Sequence, residues 1–424
     1  MTEWRRYRMR DVMAEFHDGP HATPAPAAEG PIFLGIKNIT DAGALDLGTI
    51  RHIAEDDFAQ WTRRVTPRPD DVVFTYEATL HRYALIPEGF RGCLGRRLAL
   101  VRPNQDVVLP RFLHFAMLGP VWRATVTDRV ISGSTVDRVP LIDFPDFPID
   151  LPDTSTQRVV LEILGAIDDL IENNRRRVEV LEEMARAVYR EWFVHFRYPG
   201  HETATFLDSP LGPIPQGWSA STCGDELISL GGGTPSKSEP TYWDDGTVRW
   251  YTPTDLTKSR CRYSAEPGLR ITEAGLVRSS ARLFPAGSVL MTSRATLGVL
   301  TIATTEATTN QGFIVIPPDK RWSPAFIFEW LDEHAAVLAS IATGATFKEI
   351  TKGAFKQVPF LVPAQDVLDA HRAANDPIEQ EVRNLEQQVR SLASLRDLLL
   401  PILVTGQVDV SALDLDALVE DSVA

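Results

Sequence analysis

Residues Gly133 to Val194 align with Gly344 to Thr405 at a constant offset of 211 positions, without a gap. One copy opens GSTVDRVPLIDFPDFPIDLP and the other GATFKEITKGAFKQVPFLVP. This sets Gly133 against Gly344, Thr135 against Thr346, Phe144 against Phe355, Pro148 against Pro359 and Pro152 against Pro363. The stretch that follows keeps step, with Val178 on Val389, Leu181 on Leu392 and Val188 on Leu399. An internal period this long signals duplicated domains, not a solenoid of short repeats.

The 424 residues exceed what one core usually organises, so two to four domains are expected. A composition of 44% apolar and 24% charged residues is that of an ordinary folded protein. No apolar run approaches the roughly 20 residues that cross a bilayer, and the start MTEWRRYRMRD lacks the apolar core of a signal peptide. A cytoplasmic location without membrane contact is therefore expected. Cys93, Cys223 and Cys261 are far apart and form no Cys-x-x-Cys pair, which suggests neither a zinc site nor a disulfide framework. The net charge of -14 is unevenly spread: residues 364–424 carry 4 Lys+Arg against 12 Asp+Glu, whereas residues 1–150 carry 18 against 20 and residues 201–363 carry 14 against 16. Both large segments are near balance, which permits a basic face on each.

Four segments follow along the chain: 1–152, 153–198, 199–363 and 364–424. The first mixes β-rich runs (PIFLGIKNIT, DVVFTYEATL, RRLALVRP) with Gly and Pro turns and one run, LPRFLHFAML, that suits a helix. This is an α+β pattern. Next, Pro152 marks a stop, and Thr154 with Gln157 predicts a capping box that starts a helix. RYPGHETATFLDSPLGPIPQGW then reads as a linker into a second α+β segment. Asp376 and Pro377 predict the start of the last helix, and Pro401 its end.

Both helical segments carry a seam at steps of four and three. In the first it runs Val160, Leu164, Ile167, Ile171, Asn174, Val178, Leu181, Ala185, Val188, Trp192; in the second, Ile378, Val382, Leu385, Val389, Leu392, Leu399, with Arg396 interrupting where the first copy has Ala185. Such a stripe needs a partner helix, and the two most simply pack on each other. A helix of about 40 residues extends roughly 60 Å, so the pair is expected to form a spacer rod between two heads. Asn174 within the seam is a device for fixing register or is tolerated beside water. The Arg175-Arg176-Arg177 run either attracts the acidic second helix or is a solvated face.

Signatures of chemistry are missing. GGGTPSKS at Gly231 to Ser238 departs from a phosphate loop because Ser236 stands where Gly must precede the lysine. No HExxH, GxSxG, dinucleotide fingerprint or Asn/Asp-Pro-Pro-Tyr is present. What stands out is polar and aromatic residues interleaved with Arg and Lys between short strands: Thr234, Ser236, Lys237, Tyr242, Trp243, Thr292, Ser293, Arg294, Thr296, Asn310, Gln311, Thr346 and Lys348. Such side chains read base edges and hold phosphates, and they are also ordinary loop formers.

Several stretches, in order, carry a family resemblance. IPQGWSASTCGDELISLGGGTPSKSEPTYWDDGTVRWYTPTDL, MTSRATLG, TTNQGF and TGATFKEITKGAFKQVPFLVP resemble a target recognition domain of the specificity subunit of type I restriction-modification systems. TSTQRVVLEILGAIDDLIENNRRRVEVLEEMARAVYREWFVHF resembles that family's central conserved helix, and LRDLLLPILVTGQVDVSALD its C-terminal end. The first segment departs from the pattern: it starts at Trp4 without the Pro-x-Gly opening, lacks Gly-Gly-Thr-Pro-Ser, and has Arg96 and Arg97 near the place of Asn310 and Gln311. The resemblance implies two recognition domains alternating with two long helices, packed as an antiparallel coiled coil with an internal pseudo-two-fold. Each domain would read one half of a bipartite double-stranded DNA target, and the helices would set the gap.

The resemblance also implies that two methyltransferase subunits, carrying S-adenosylmethionine, dock on the helices, and that translocase/nuclease subunits, using ATP and Mg, join through them. This chain would hold no cofactor or metal and perform no catalysis. Candidate DNA contacts are Arg294, Asn310, Gln311, Thr346, Lys348, Thr234 and Lys237 in the second domain and Tyr76, Thr79, Arg82, Arg96, Arg97 and Thr135 in the first. Rival readings are a scaffold with two non-DNA binding heads on a coiled-coil rod, and a nuclease or methylase acting alone.

Overall fold

The computed structural model describes residues 4–133, 136–344 and 348–410. Thr135 and Thr346 therefore lie outside the described residues. The chain divides into two compact units, Met1–Ile171 with Ser391–Ala424 and Glu172–Arg390.

In the first unit the run DVVFT folds as strand Val72–Thr75, inside a four-stranded antiparallel sheet ordered Met13–Asp18, Leu98–Pro103, Val72–Thr75, Tyr83–Leu85. Strand side chains alternate between faces, and here both faces are covered. Val72, Phe74, Ala99 and Val101 enter the main core with helix Pro110–Leu118, while Val73, Leu98 and Leu100 enter a second core. A strand buried on both sides needs a continuous apolar run, which is what the sequence carries. Strand Arg5–Arg8 pairs antiparallel with Pro148–Leu151, tying the start of the unit to the start of the repeat.

The second unit repeats the three central antiparallel strands, while its short fourth strand lies on the opposite edge and pairs parallel. Its four-stranded sheet is ordered Tyr263–Ser264, Leu300–Ala303, Val289–Thr292, Phe313–Ile316. Val289, Met291, Ile314 and Ile316 face one core, and Leu290, Ala303, Phe313 and Val315 the other. Ser219–Thr222 pairs antiparallel with Pro359–Val362, as Arg5–Arg8 does with Pro148–Leu151. The strands Pro148–Leu151 and Pro359–Val362 are related by the repeat offset, and the aligned Phe144 and Phe355 are both fully buried.

The two long helices are Thr154–Tyr189 and Gln365–Leu403. Three helix boundaries differ from the sequence expectation. The cap of the central helix is Asp153, one residue earlier than Thr154: its Oδ1 accepts from Thr156 N at 2.8 Å. Gln157, expected to close a capping box, is buried, and its amide bonds the Pro152 and Val107 carbonyls while its oxygen accepts from Leu109 N. After Tyr189 the helix widens into a π turn, Arg190–Val194, that seats Phe193 in the main core of the second unit.

The C-terminal helix starts twelve residues before Pro377 and continues past Pro401 to Leu403. Burial of Val367, Leu368 and His371 against the aromatic core holds its first turns. Pro377 removes one helical hydrogen bond, but Ala373, whose carbonyl loses its partner, and Pro377 itself are both exposed, so the break falls on the solvent side of the helix where it costs least.

Each unit contains its own stretch of helix pairing. In the first, Val160 and Leu164 pack with Leu400 and Leu403, and Arg396 Nη1 meets Asp168 Oδ1 at 3.2 Å. The arginine that interrupts the seam is thus neutralised from the facing helix. In the second, Val178 and Leu181 pack with Val382, Asn174 donates to Gln388 Oε1 at 3.0 Å, and Arg177 pairs with Glu381 at 2.6 Å. Position numbers rise on one helix as they fall on the other, so the pairing is antiparallel in both units. Ile167, Ile171, Asn174, Val382 and Leu385 are buried; Val178, Leu181, Val389 and Leu392 are half-buried.

A buried ionic cluster ties the second sheet to the C-terminal helix. Arg262 is fully buried, with Nε and Nη2 on Glu379 at 2.9 and 2.6 Å, Nη2 also 2.7 Å from Glu329, and the guanidinium 4.1 Å from the Phe328 ring centroid. Glu386 accepts from the backbone amides of Arg262 and Tyr263 at 2.7 and 2.9 Å. Burial pushes the Glu386 carboxyl up to about 7 and also raises Glu329.

Candidate nucleic-acid interface

Three loops converge at one end of each four-stranded sheet. In the second unit the turn after Val289–Thr292 carries Arg294, Ala295 and Thr296. Its backbone is clamped from two sides: Ser293 N donates to Gly312 O at 2.8 Å, Ile350 N to Ser293 O at 2.9 Å, and Ala295 N to Lys348 O at 3.1 Å. Arg294 and Glu349 face each other across a β-bridge, with Nη2 2.9 Å from Oε2, and the Arg294 side chain is 46% exposed. Lys348 is exposed beside them.

Thr234 joins the same surface. Its hydroxyl donates to Gln311 Oε1 at 2.6 Å, while Asn310 Oδ1 accepts from Gly312 N at 2.8 Å and so shapes the turn. The glycines before Thr234 serve close packing: a Cβ on Gly232 would sit 2.2 Å from the carbonyl oxygens of Thr309 and Asn310. Two indoles pin the loop, Trp250 Nε1 to Gly233 O at 2.9 Å and Trp243 Nε1 to Ser236 O at 3.0 Å. Lys237 is thereby held exposed on an anchored segment.

The first unit builds the same frame. Tyr76 N donates to Arg97 O at 3.2 Å, Val139 N to Tyr76 O at 2.8 Å, and Ala78 N to Asp137 O at 3.1 Å. Ala78 and Ala295 both adopt left-handed backbone, φ 69° and 64°. Non-glycine residues avoid this conformation at a cost of about 1–2 kcal/mol, so its recurrence marks a turn held for its shape.

Sequence reasoning brought together some of these residues and not others. Arg96 is exposed. Arg97 pairs with Glu77 at 3.2 Å. Thr79 is half-buried, its amide on Glu77 O at 2.9 Å. Tyr76 is a core residue: it is 5% exposed, its hydroxyl donates to Arg96 O at 2.8 Å, and burial pushes its pKa up to about 12. It positions Arg96. Arg82 forms a two-pronged ion pair with Asp41 at 2.7 and 3.1 Å and turns to that partner. Glu77, Asp137, Arg138 and Glu349 were missed. The signal for them was the tripeptide Ala-Thr-Leu, present at both Ala78–Leu80 and Ala295–Leu297, which pairs the two turns by eye.

Comparison with known proteins gives this surface its setting. Residues 215–372 match the type I restriction modification DNA specificity domain. The chain is 22% identical over 373 residues to the type I restriction enzyme HindI specificity subunit of Haemophilus influenzae, covering 74% of this chain and 80% of the relative. It is 22% identical over 433 residues to the putative type I restriction enzyme MjaX specificity subunit of Methanocaldococcus jannaschii, covering 96% and 94%. Residues 215–372 belong to that DNA specificity domain family, and the chain as a whole is similar to type I specificity subunits. A type I specificity subunit reads DNA and leaves catalysis to its partner subunits. The fold agrees: the crystal structure of the type I restriction-modification S subunit from M. genitalium is similar at a TM-score of 0.53 and 12% identity, covering 95% of this chain and 96% of that one. Among the described residues, no helix is long and apolar enough to cross a membrane.

Proposed function

We propose that this chain reads a bipartite double-stranded DNA target, one half with the loop surface of each unit, while the two long helices set the gap between the halves. The observation that carries the reading is the repetition of one loop frame in both units, with matching backbone hydrogen bonds and the same strained alanine. A duplicated frame with different side chains suits a split target whose halves differ in sequence. Two methyltransferase subunits would dock on the helices and carry S-adenosylmethionine, and restriction subunits using ATP and Mg would join the complex. Most of the net charge of -14 belongs to residues 364–424, with 4 Lys+Arg against 12 Asp+Glu, so the near-balanced segments that carry the loops leave room for a basic face on each.

Long-read methylation mapping tests this in cells expressing the neighbouring methyltransferase with and without the chain. A split motif with a fixed gap is expected only with the chain. Methylation independent of the chain, with the partner active and bound, would sink the reading and favour a scaffold. DNA affinity of the complex is also expected to fall steeply with salt.

The helices give a second expectation. Seven residues inserted into each, at Ile171/Glu172 and Arg390/Ser391, add two turns or about 10 Å. At about 3.4 Å per base pair the methylated motif should gain about 3 base pairs of gap, with both half-sites kept. An altered half-site with the old gap would contradict the spacer role.

A further inference from the structure

The loop frames of the two units match in backbone and oppose each other in charge. Glu77 occupies the place of Arg294: each follows the buried residue, Tyr76 or Ser293, that hydrogen-bonds to both clamping loops, and each precedes the left-handed alanine. Asp137 and Arg138 occupy the places of Lys348 and Glu349, 211 positions on. Ala78 N bonds the Asp137 carbonyl as Ala295 N bonds that of Lys348, and the Glu77–Arg138 bridge answers Arg294–Glu349. Every one of these three positions changes sign between the units. Drift on a solvated surface gives neutral replacements as readily as reversals. The reversal keeps opposite charges at the two bridged positions, with Glu77 ion-paired to Arg97 in the first unit and Arg294 to Glu349 in the second, while inverting what each loop offers outward.

On this basis, and resting on the reading of the loop surfaces as DNA-facing, we propose that residues 77 and 294 are equivalent specificity-determining positions with opposite hydrogen-bonding demand. Arg294 presents N–H donors and takes a guanine edge, O6 and N7, in the half-site of the second unit. Glu77 presents acceptors and takes a cytosine N4 amino group in the half-site of the first. The first unit recovers positive charge from the neighbouring turn, where Arg96 and Arg97 take the places that Gln311 and Gly312 hold in the second unit; Arg97 sits 3.2 Å from Glu77 and orients it.

The test is methylation mapping of the intact complex carrying R294E, the double reversal R294E/E349R, or E77Q. With R294E, the base preference at one position of one half-site is expected to change or relax, with the other half-site and the gap unchanged. The double reversal separates reading from structure. If Arg294 only braces Glu349, restoring the pair restores the original motif, which overturns the proposal. If it reads a base, the motif stays altered. E77Q is expected to relax one position of the opposite half-site only. An unchanged motif from R294E in a complex that assembles and methylates also overturns it. Failure of the DNA-reading model is seen separately, as the absence of any chain-dependent split motif with the unmodified protein.

Discussion

Arg262→Met is expected to destabilise the second unit by about 3–5 kcal/mol, because removing one member of a buried ionic cluster leaves the others charged and unpaired. Arg262 has a side-chain exposure of 1%, and the two carboxylates it holds, Glu329 and Glu379, are nearly as buried. Methionine fills much of the space and still packs on Phe328, so the loss reports charge, not a cavity. The pH dependence gives the sign. Burial already holds the Glu329 carboxyl above its unfolded value, and loss of the guanidinium that lowers it raises it further. The penalty is then complete above its folded pKa and disappears below the unfolded one. Unfolding curves should show the variant closest to the parent near pH 4–5 and furthest at pH 8. Neutralising both partners, as R262M/E329Q/E379Q, is expected to recover most of the loss. A single variant within about 1 kcal/mol of the parent would mean that the cluster does not hold the sheet to the helix.

Phe144→Ala and Phe355→Ala, changes at aligned positions of the repeat, are each expected to cost about 3–5 kcal/mol in their own unit through lost burial and the cavity left behind. Phe144 belongs at the upper end. Its ring stacks on Phe16 and Phe74 with centroids 4.9 and 5.0 Å apart and meets Trp122 edge-on at 5.8 Å, contacts worth about 0.5–1.5 kcal/mol each beyond area. Phe355 is equally buried, at 0% exposure, and packs in the core that includes Cys223, Val358 and Phe360. Limited proteolysis should report each loss in the unit that holds the residue. Equal losses for the two, or a leucine variant as damaging as alanine, would contradict this account.

Much of this was open in the residues. The period-2 strands with both faces apolar, the four-three seams and the constant offset are local patterns, and each follows from backbone geometry. The offset even held the correct start of the C-terminal helix, since Gln365 is the counterpart of Thr154. The Asp376-Pro377 pair suggested a later start because capping preference is a local signal. Burial of Val367, Leu368 and His371 outweighed it. The same competition moved the first cap to Asp153 and drew Gln157 inside, where three backbone groups needed it.

At the candidate interface the limits were different. Residue type alone singled out Arg294, Arg96 and Lys348, but also Arg82 and Tyr76, whose partners Asp41 and the Arg96 carbonyl are 41 and 20 positions away. An arginine's availability depends on which carboxylate the fold brings near it, and that distance is not written in composition.

Two related heads and two seamed helices are written in the order of residues, because duplication and periodicity are properties of that order. Which charges face each other is set by the fold. It brought Glu77 to Arg138, Arg294 to Glu349 and Arg262 to Glu379 across separations of 61, 55 and 117 residues, because electrostatic energy depends on distance through space and not along the chain.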